Sequence, residues 1–185
     1  MSTHELMEAL IADGPDSGLA DELQLFGQFV GSWELEVVYH DPDGERRLSA
    51  EWHFAWALNG RAVQDVWIAP SRRDRDEQGE REVDWGASVR FYDPRIDAWR
   101  STWIGPVKGL VLPFIARPVG DEIVLEGHFD ERVVTQWIFS DIAASSFRWR
   151  AVESYDDGCT WSIVQEMSAR RVRHSSKGSE RGRAA

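Results

Sequence analysis

Beyond residue 30, apolar and polar positions alternate in short runs, and turn-forming residues separate one run from the next. Strict alternation is the mark of a half-buried strand, because successive side chains leave opposite faces. It predicts strands near 33–40, 48–58, 61–69, 86–92 and 98–104, then near 111–117, 122–128, 132–140, 146–154 and 161–169. The links carry turn chemistry: Asp41-Pro42-Asp43-Gly44, Asp93–Asp97, Gly120 and Asp156-Asp157-Gly158. Before residue 31 the period changes. Ser2 and Glu5 fit a capping box for a first short helix. Leu19, Leu23, Phe26 and Phe29–Val30 then recur at helical spacing, predicting a second helix ended by Gly31.

The pattern predicts an all-β protein: an up-and-down antiparallel β-barrel of about ten strands preceded by N-terminal helices. A β-sandwich is the alternative. The expected organisation is a helical segment at 1–30 capping the barrel, the barrel at 31–171, and a disordered basic tail at 172–185. The charged stretch Ser71–Asp84 is the one long loop and could form a lid at the barrel mouth.

One hairpin fixes a register. Asn59-Gly60 between two apolar runs is a strong turn signal, because a type I′ turn needs positive φ at both central residues. Leu58 then faces Arg61, Trp56 faces Val63, Phe54 faces Asp65 and Trp52 faces Trp67. This side holds the aromatics and should look inward, which sets Asp65 among indoles.

Composition narrows the class. A chain of 185 residues with a net charge of −11 splits into a +5 tail from Arg170 onward and a body near −16. An acidic body argues against nucleic acid or an anionic membrane as partner. Cys159 is alone, which excludes an internal disulfide and fits a reducing compartment. No charged-then-apolar stretch stands at the start. The longest apolar run, near Leu110–Ala116, is broken by Pro113 and too short for a bilayer. The expected location is the cytoplasm. Ten tryptophans are the unusual feature, since cores are ordinarily filled by Leu, Ile and Val. Indoles at inward positions suit a cavity for a flat or greasy ligand, or else simply fill a barrel.

Gly31-Ser32-Trp33 follows a helix and opens the first strand, as G-x-W does in lipocalins. Together with Trp56-Ala57-Leu58-Asn59-Gly60-Arg61, Phe91-Tyr92-Asp93-Pro94 and the closing Asp156–Trp161 hairpin, it resembles the lipocalin/calycin superfamily. The nearest resemblance is to uncharacterised bacterial lipocalin-like β-barrel domains, over nearly the whole chain. The resemblance implies a barrel whose closed end is plugged by Trp33, with Arg171 stacked over it. Family functions range over ligand carriage, haem binding and cofactor-free isomerisation or cyclisation, so fold is better supported than function. Ser154–Trp161 also matches a sialidase-type Asp-box; occurring once in a short chain, it reads as a turn.

The inward faces then supply candidate chemistry. Asp65 and Glu153 are candidate acid and base, with Tyr39 as a donor, because a desolvated carboxyl can move a proton near neutrality. Asp65 or Glu153 could instead pair with Arg61 or another inward cation. Trp52, Phe54, Trp56, Trp67, Trp103, Trp137, Trp149 and Gln165 are the expected ligand wall. Trp161, Ile163 and Met167 share the predicted face of Gln165 and Arg171. His4, His40, His53, His128 and His174 have no metal-ligand spacing, and no cofactor motif appears. No metal and no cofactor are expected. Outward Val38, Val66, Ile68 and Ile138 suggest a homodimer face. Three functions remain: a binder of a small hydrophobic (aromatic, polyketide-like or terpenoid) ligand; a cofactor-independent isomerase, cyclase or hydro-lyase; and a structural or partner-binding barrel.

Overall fold

The computed structural model describes residues 3–74 and 84–173. Two short helices come first, α1 (Thr3–Leu10) and α2 (Ala20–Gly27), with a 3-10 turn at Ser17–Leu19 between them. Ten strands follow: β1 (Gly31–Asp41), β2 (Gly44–Ala57), β3 (Ala62–Ala69), β4 (Asp84–Asp93) and β5 (Ala98–Gly105), then β6 (Leu110–Val119), β7 (Glu122–His128), β8 (Val134–Ala143), β9 (Ser146–Ser154) and β10 (Ser162–Arg171). Every strand pairs antiparallel with its sequence neighbours, and β1 pairs β10 to close the barrel. Closure leaves the sheet without an edge strand. The ten-stranded up-and-down barrel predicted by the alternation is the fold.

The hairpin register is as predicted, with Trp52 opposite Trp67, Phe54 opposite Asp65 and Trp56 opposite Val63. Leu58, Asn59 and Gly60 all have positive φ, at 52°, 58° and 75°, and the Arg61 N–H donates to the Leu58 carbonyl at 3.3 Å. Gly60 is needed twice over. A Cβ there would also strike the backbone of Gly14, Pro15 and Asp16. The N-terminal segment lies against this tip, with Ala12 N–H on the Trp56 carbonyl (2.9 Å) and Asp16 N–H on the Gly60 carbonyl (3.0 Å).

One end of the barrel is solid. Leu23, Phe26 and Phe29 are at most 1% exposed, each contributing on the order of 2 kcal/mol by area removed from water. Phe26 meets Trp99 edge-on at 4.9 Å, and Phe29 meets Phe139 and Phe147 at 4.9 and 5.0 Å. Arg171 closes this end. Its guanidinium lies 4.1 Å from the Trp33 ring centre and donates to the carbonyls of Val30 (2.6 Å), Gln28 (2.7 Å) and Ala144 (2.7 Å). Gly31 is a glycine because a Cβ would lie 2.7 Å from Arg171 Nη1, at φ +129°.

Four sequence expectations change. The second helix stops at Gly27 rather than Gly31, because the Gln28 and Val30 carbonyls turn to Arg171 instead of continuing the helix. Trp161 and Ile163 are 37% and 45% exposed, not inward, because a β-bulge between Ile163 and Gln165 shifts the face of β10. Arg61 is exposed and pairs with Asp16 at 3.2 Å, away from Asp65. Of the apolar residues predicted to face outward, Ile68 and Ile138 are buried and Val38 and Val66 are half-buried. Among the described residues no helix is long and apolar enough to cross a membrane. Ser2 and its capping box, residues 75–83 of the predicted lid, His174 and the rest of the tail to 185 lie outside the described residues.

Candidate functional site

The other end of the barrel is hollow. A cavity of about 500 Å³ occupies it, beneath the connections β1–β2, β5–β6, β7–β8 and β9–β10. Its size falls within the range of small-molecule sites. Five of the ten tryptophans line it, and they form an unbroken belt. Trp52 meets Trp149 at 6.4 Å, Trp149 meets Trp137 at 5.5 Å, Trp137 meets Trp103 at 5.8 Å, and Trp103 meets Trp67 at 6.1 Å. Each junction is edge-to-face, with interplanar angles from 63° to 84°, the arrangement that the ring quadrupole favours. Leu112, Val164 and Met167 fill the wall between the indoles.

Local sequence makes room for this belt. Gly86 lies under the Trp103 ring and Gly105 lies beside its Nε1, so neither position has space for a Cβ. On β8 and β9, alternation brings Thr135, Trp137, Trp149, Ala151 and Glu153 to the same hollow. The Nε1 atoms of Trp67 and Trp149 are buried without a hydrogen-bond partner among the described residues, although the side chains are only 5% and 4% exposed. An indole N–H is an obligate donor, and leaving it unmatched is costly.

The floor is built differently. Trp52 Nε1 donates to Asp65 Oδ1 at 2.8 Å, and the other carboxylate oxygen takes the Arg90 guanidinium. Both members of this ion pair have fully buried side chains. Burial alone pushes the Arg90 guanidinium below its ordinary value, and Asp65 at contact holds it charged. Arg90 also donates to Ser88 at 3.2 Å and lies 5.2 Å from the Phe26 ring centre, on the plugged side of the floor.

The rim is polar. Lys108 Nζ is 3.0 Å from Asp84 Oδ2, and the Tyr155 hydroxyl donates to Glu153 Oε2 at 2.7 Å. Tyr39 is packed under Arg46, 4.2 Å from its ring centre. Burial, joined by the Asp84 charge, pushes the Tyr39 phenol up to about 12, so it remains a neutral donor at physiological pH.

The structure therefore divides the candidate residues. Trp52, Trp67, Trp103, Trp137, Trp149, Gln165, Glu153 and Tyr39 line one hollow. Phe54, Trp56 and Asp65 do not: Phe54 packs on Phe29 at 5.8 Å, Trp56 lies against Gly27, and Asp65 sits under the floor. Arg90, Asp84 and Lys108 were not picked out by the sequence. The predicted hairpin register gave no sign of Arg90, which stands on β4, two residues beyond Ser88, the partner of Asp65. No group of three or more His, Cys, Asp or Glu side chains suited to a metal occurs among the described residues.

No protein-family profile matches the chain, and no curated protein matches it. Among solved structures, the S-type phycobiliprotein lyase CPES from Guillardia theta aligns with a TM-score of 0.55. The alignment has 13% sequence identity and covers 82% of this chain and 93% of that one. At that identity the likeness concerns the fold alone, here a closed antiparallel barrel of ten strands.

Proposed function

We propose that this protein binds a small, predominantly hydrophobic molecule of aromatic, polyketide-like or terpenoid character in the hollow end of its barrel. The tryptophan belt around a cavity of about 500 Å³ carries the reading. Five large rings at inward positions would fill the barrel if filling were their purpose. At the opposite end Phe26, Phe29, Phe139 and Phe147 pack ring against ring, whereas the belt borders open space. The reading as a structural barrel has no use for the hollow.

The reading as a cofactor-independent isomerase, cyclase or hydro-lyase assigns Asp65 and Glu153 as acid and base in one space, with Tyr39 as a donor. Asp65 is held under Trp52 in a buried ion pair, so Glu153 and Tyr39 are the members of that set at the cavity. Carriage or sequestration fits these residues better than turnover.

A titration with the neutral fluorophore N-phenylnaphthylamine tests the proposal. The wild-type protein should bind one equivalent saturably, with transfer of tryptophan emission to the probe. Ala151→Phe, which places a ring in the hollow, should weaken binding by at least about tenfold, or 1.4 kcal/mol, while the protein still melts cooperatively. Equal binding by both proteins would put the probe elsewhere and remove the proposal.

A further inference from the structure

The charges around the cavity narrow the kind of molecule it holds. Three lining carboxylates, Asp41, Asp84 and Glu153, stand against one lining ammonium, Lys108. Lys108 meets Asp84 through Oδ2 only, and Oδ1 of the same group is buried with no hydrogen-bond partner among the described residues. Asp41 is met at 3.6 Å by Arg46, which does not line the cavity. Glu153 accepts from the Tyr155 hydroxyl, a neutral group.

Indole faces carry negative potential and attract cations within about 6 Å of the ring centre. A belt of five indoles beside an excess of carboxylates is the reverse of what an anion needs. At longer range the chain ahead of its basic end carries a charge near −16, which draws cations and repels anions. At the Tyr39 hydroxyl, burial and then the Asp84 charge oppose ionisation, Arg46 favours it, and Asp41 opposes it more weakly.

We propose that the ligand is a monocation, a hydrophobic amine whose body lies against the tryptophan belt and whose ammonium is taken by Asp84 and Glu153 at the rim. The inference rests on the ligand-site reading above and adds the charge of the ligand to it. No bond is made or broken. The ammonium supplies the donor that Asp84 Oδ1 lacks, and the π faces replace part of the water it gives up on entry.

Three probes of one shape separate the alternatives: naphthylmethylamine, protonated at neutral pH, naphthylmethanol, uncharged, and naphthylacetate, an anion. Each is titrated into the intact protein at low salt and followed by quenching of tryptophan emission. The ammonium should bind at least about tenfold more tightly than the alcohol, and the carboxylate most weakly. Asp84→Asn should erase the advantage of the ammonium and leave the alcohol unchanged. Lys108→Met, which removes the competing cation, should enlarge that advantage and serves if the first variant folds poorly. Equal affinity for all three probes, or tightest binding of the carboxylate, would overturn the charge assignment while the alcohol's binding keeps the ligand site. Failure of all three to bind would overturn both.

Discussion

Asp65 and Arg90 pair diagonally across neighbouring strands with both side chains wholly removed from water, and Asp65 spends its second oxygen on the indole of Trp52. The pair separates the two halves of the barrel, with the aromatic plug on one side and the ligand hollow on the other. Removing one member leaves the other as an unmatched buried charge, which typically costs 3–5 kcal/mol. Arg90→Met and Asp65→Asn should therefore each lower the stability measured by urea denaturation by roughly that amount. The double variant Asp65→Leu/Arg90→Met should lose less than the two single losses combined, because it leaves no charge behind. Additive losses would mean that the two groups do not act as a pair.

Arg171 ties the end of β10 to the turn after α2 through the Gln28 and Val30 carbonyls, reaches the β8–β9 turn through Ala144, and covers Trp33. Arg171→Ala should cost about 3 kcal/mol, from lost charged hydrogen bonds and the ring contact. Arg171→Lys should recover little, because an ammonium cannot reproduce the planar fork that reaches three carbonyls. Equilibrium denaturation of both variants checks this. Full recovery by lysine would reduce the role of Arg171 to its charge.

Glu51 gives the protein an acid-labile contact. Its partial burial would raise the carboxyl, but hydrogen bonds from the Arg72 side chain and backbone and from His53 outweigh that and hold it at about 2. A carboxyl held below its unfolded value stabilises the fold above the ordinary carboxylate range, and the contribution disappears as pH falls toward the folded value. The contribution of Glu51 should thus be intact at neutral pH and fade between about pH 5 and pH 2. Comparing the pH dependence of stability for the wild type and Glu51→Gln isolates it. Parallel curves through that window would contradict the assignment.

Tyr39 should be the last of the three tyrosines to ionise. Burial, then the Asp84 charge, raises it to about 12. Tyr92 and Tyr155 are raised by donating hydrogen bonds to Asp97 and Glu153, but Tyr92 is only half-buried and Tyr155 is exposed. In an alkaline absorbance titration, Tyr39→Phe should remove the highest step and leave the lower two. Loss of a lower step would place Tyr39 in a more open setting than the cavity provides.

The barrel was legible because strand alternation is local. Trp33, Leu35 and Val37 point inward and Glu34 and Glu36 outward for reasons visible within five residues. The Asn59-Gly60 turn then fixed a register by its backbone geometry alone. The site was legible only in part, and β4 shows why. Its more apolar side, Ala87, Val89 and Phe91, faces outward, with Phe91 41% exposed, while Gly86, Ser88 and Arg90 point inward. Gly86 is there to clear Trp103, and Arg90 to answer Asp65, which lies on another strand. The same limit applies to Phe54 and Trp56. They share a face with Trp52, but α2 fills their end of the barrel, and a strand pattern carries no information about where a helix docks.

The central claim is that the belt of five tryptophans, and not the remaining five, surrounds a ligand. Nuclear magnetic resonance of the indole N–H groups addresses it directly, since each tryptophan contributes one resonance. On titration with naphthylmethanol, the signals of Trp52, Trp67, Trp103, Trp137 and Trp149 should move together and saturate. Those of Trp33, Trp56, Trp85, Trp99 and Trp161 should stay in place. Movement of the exposed Trp85 and Trp161 with the belt unchanged would contradict the account.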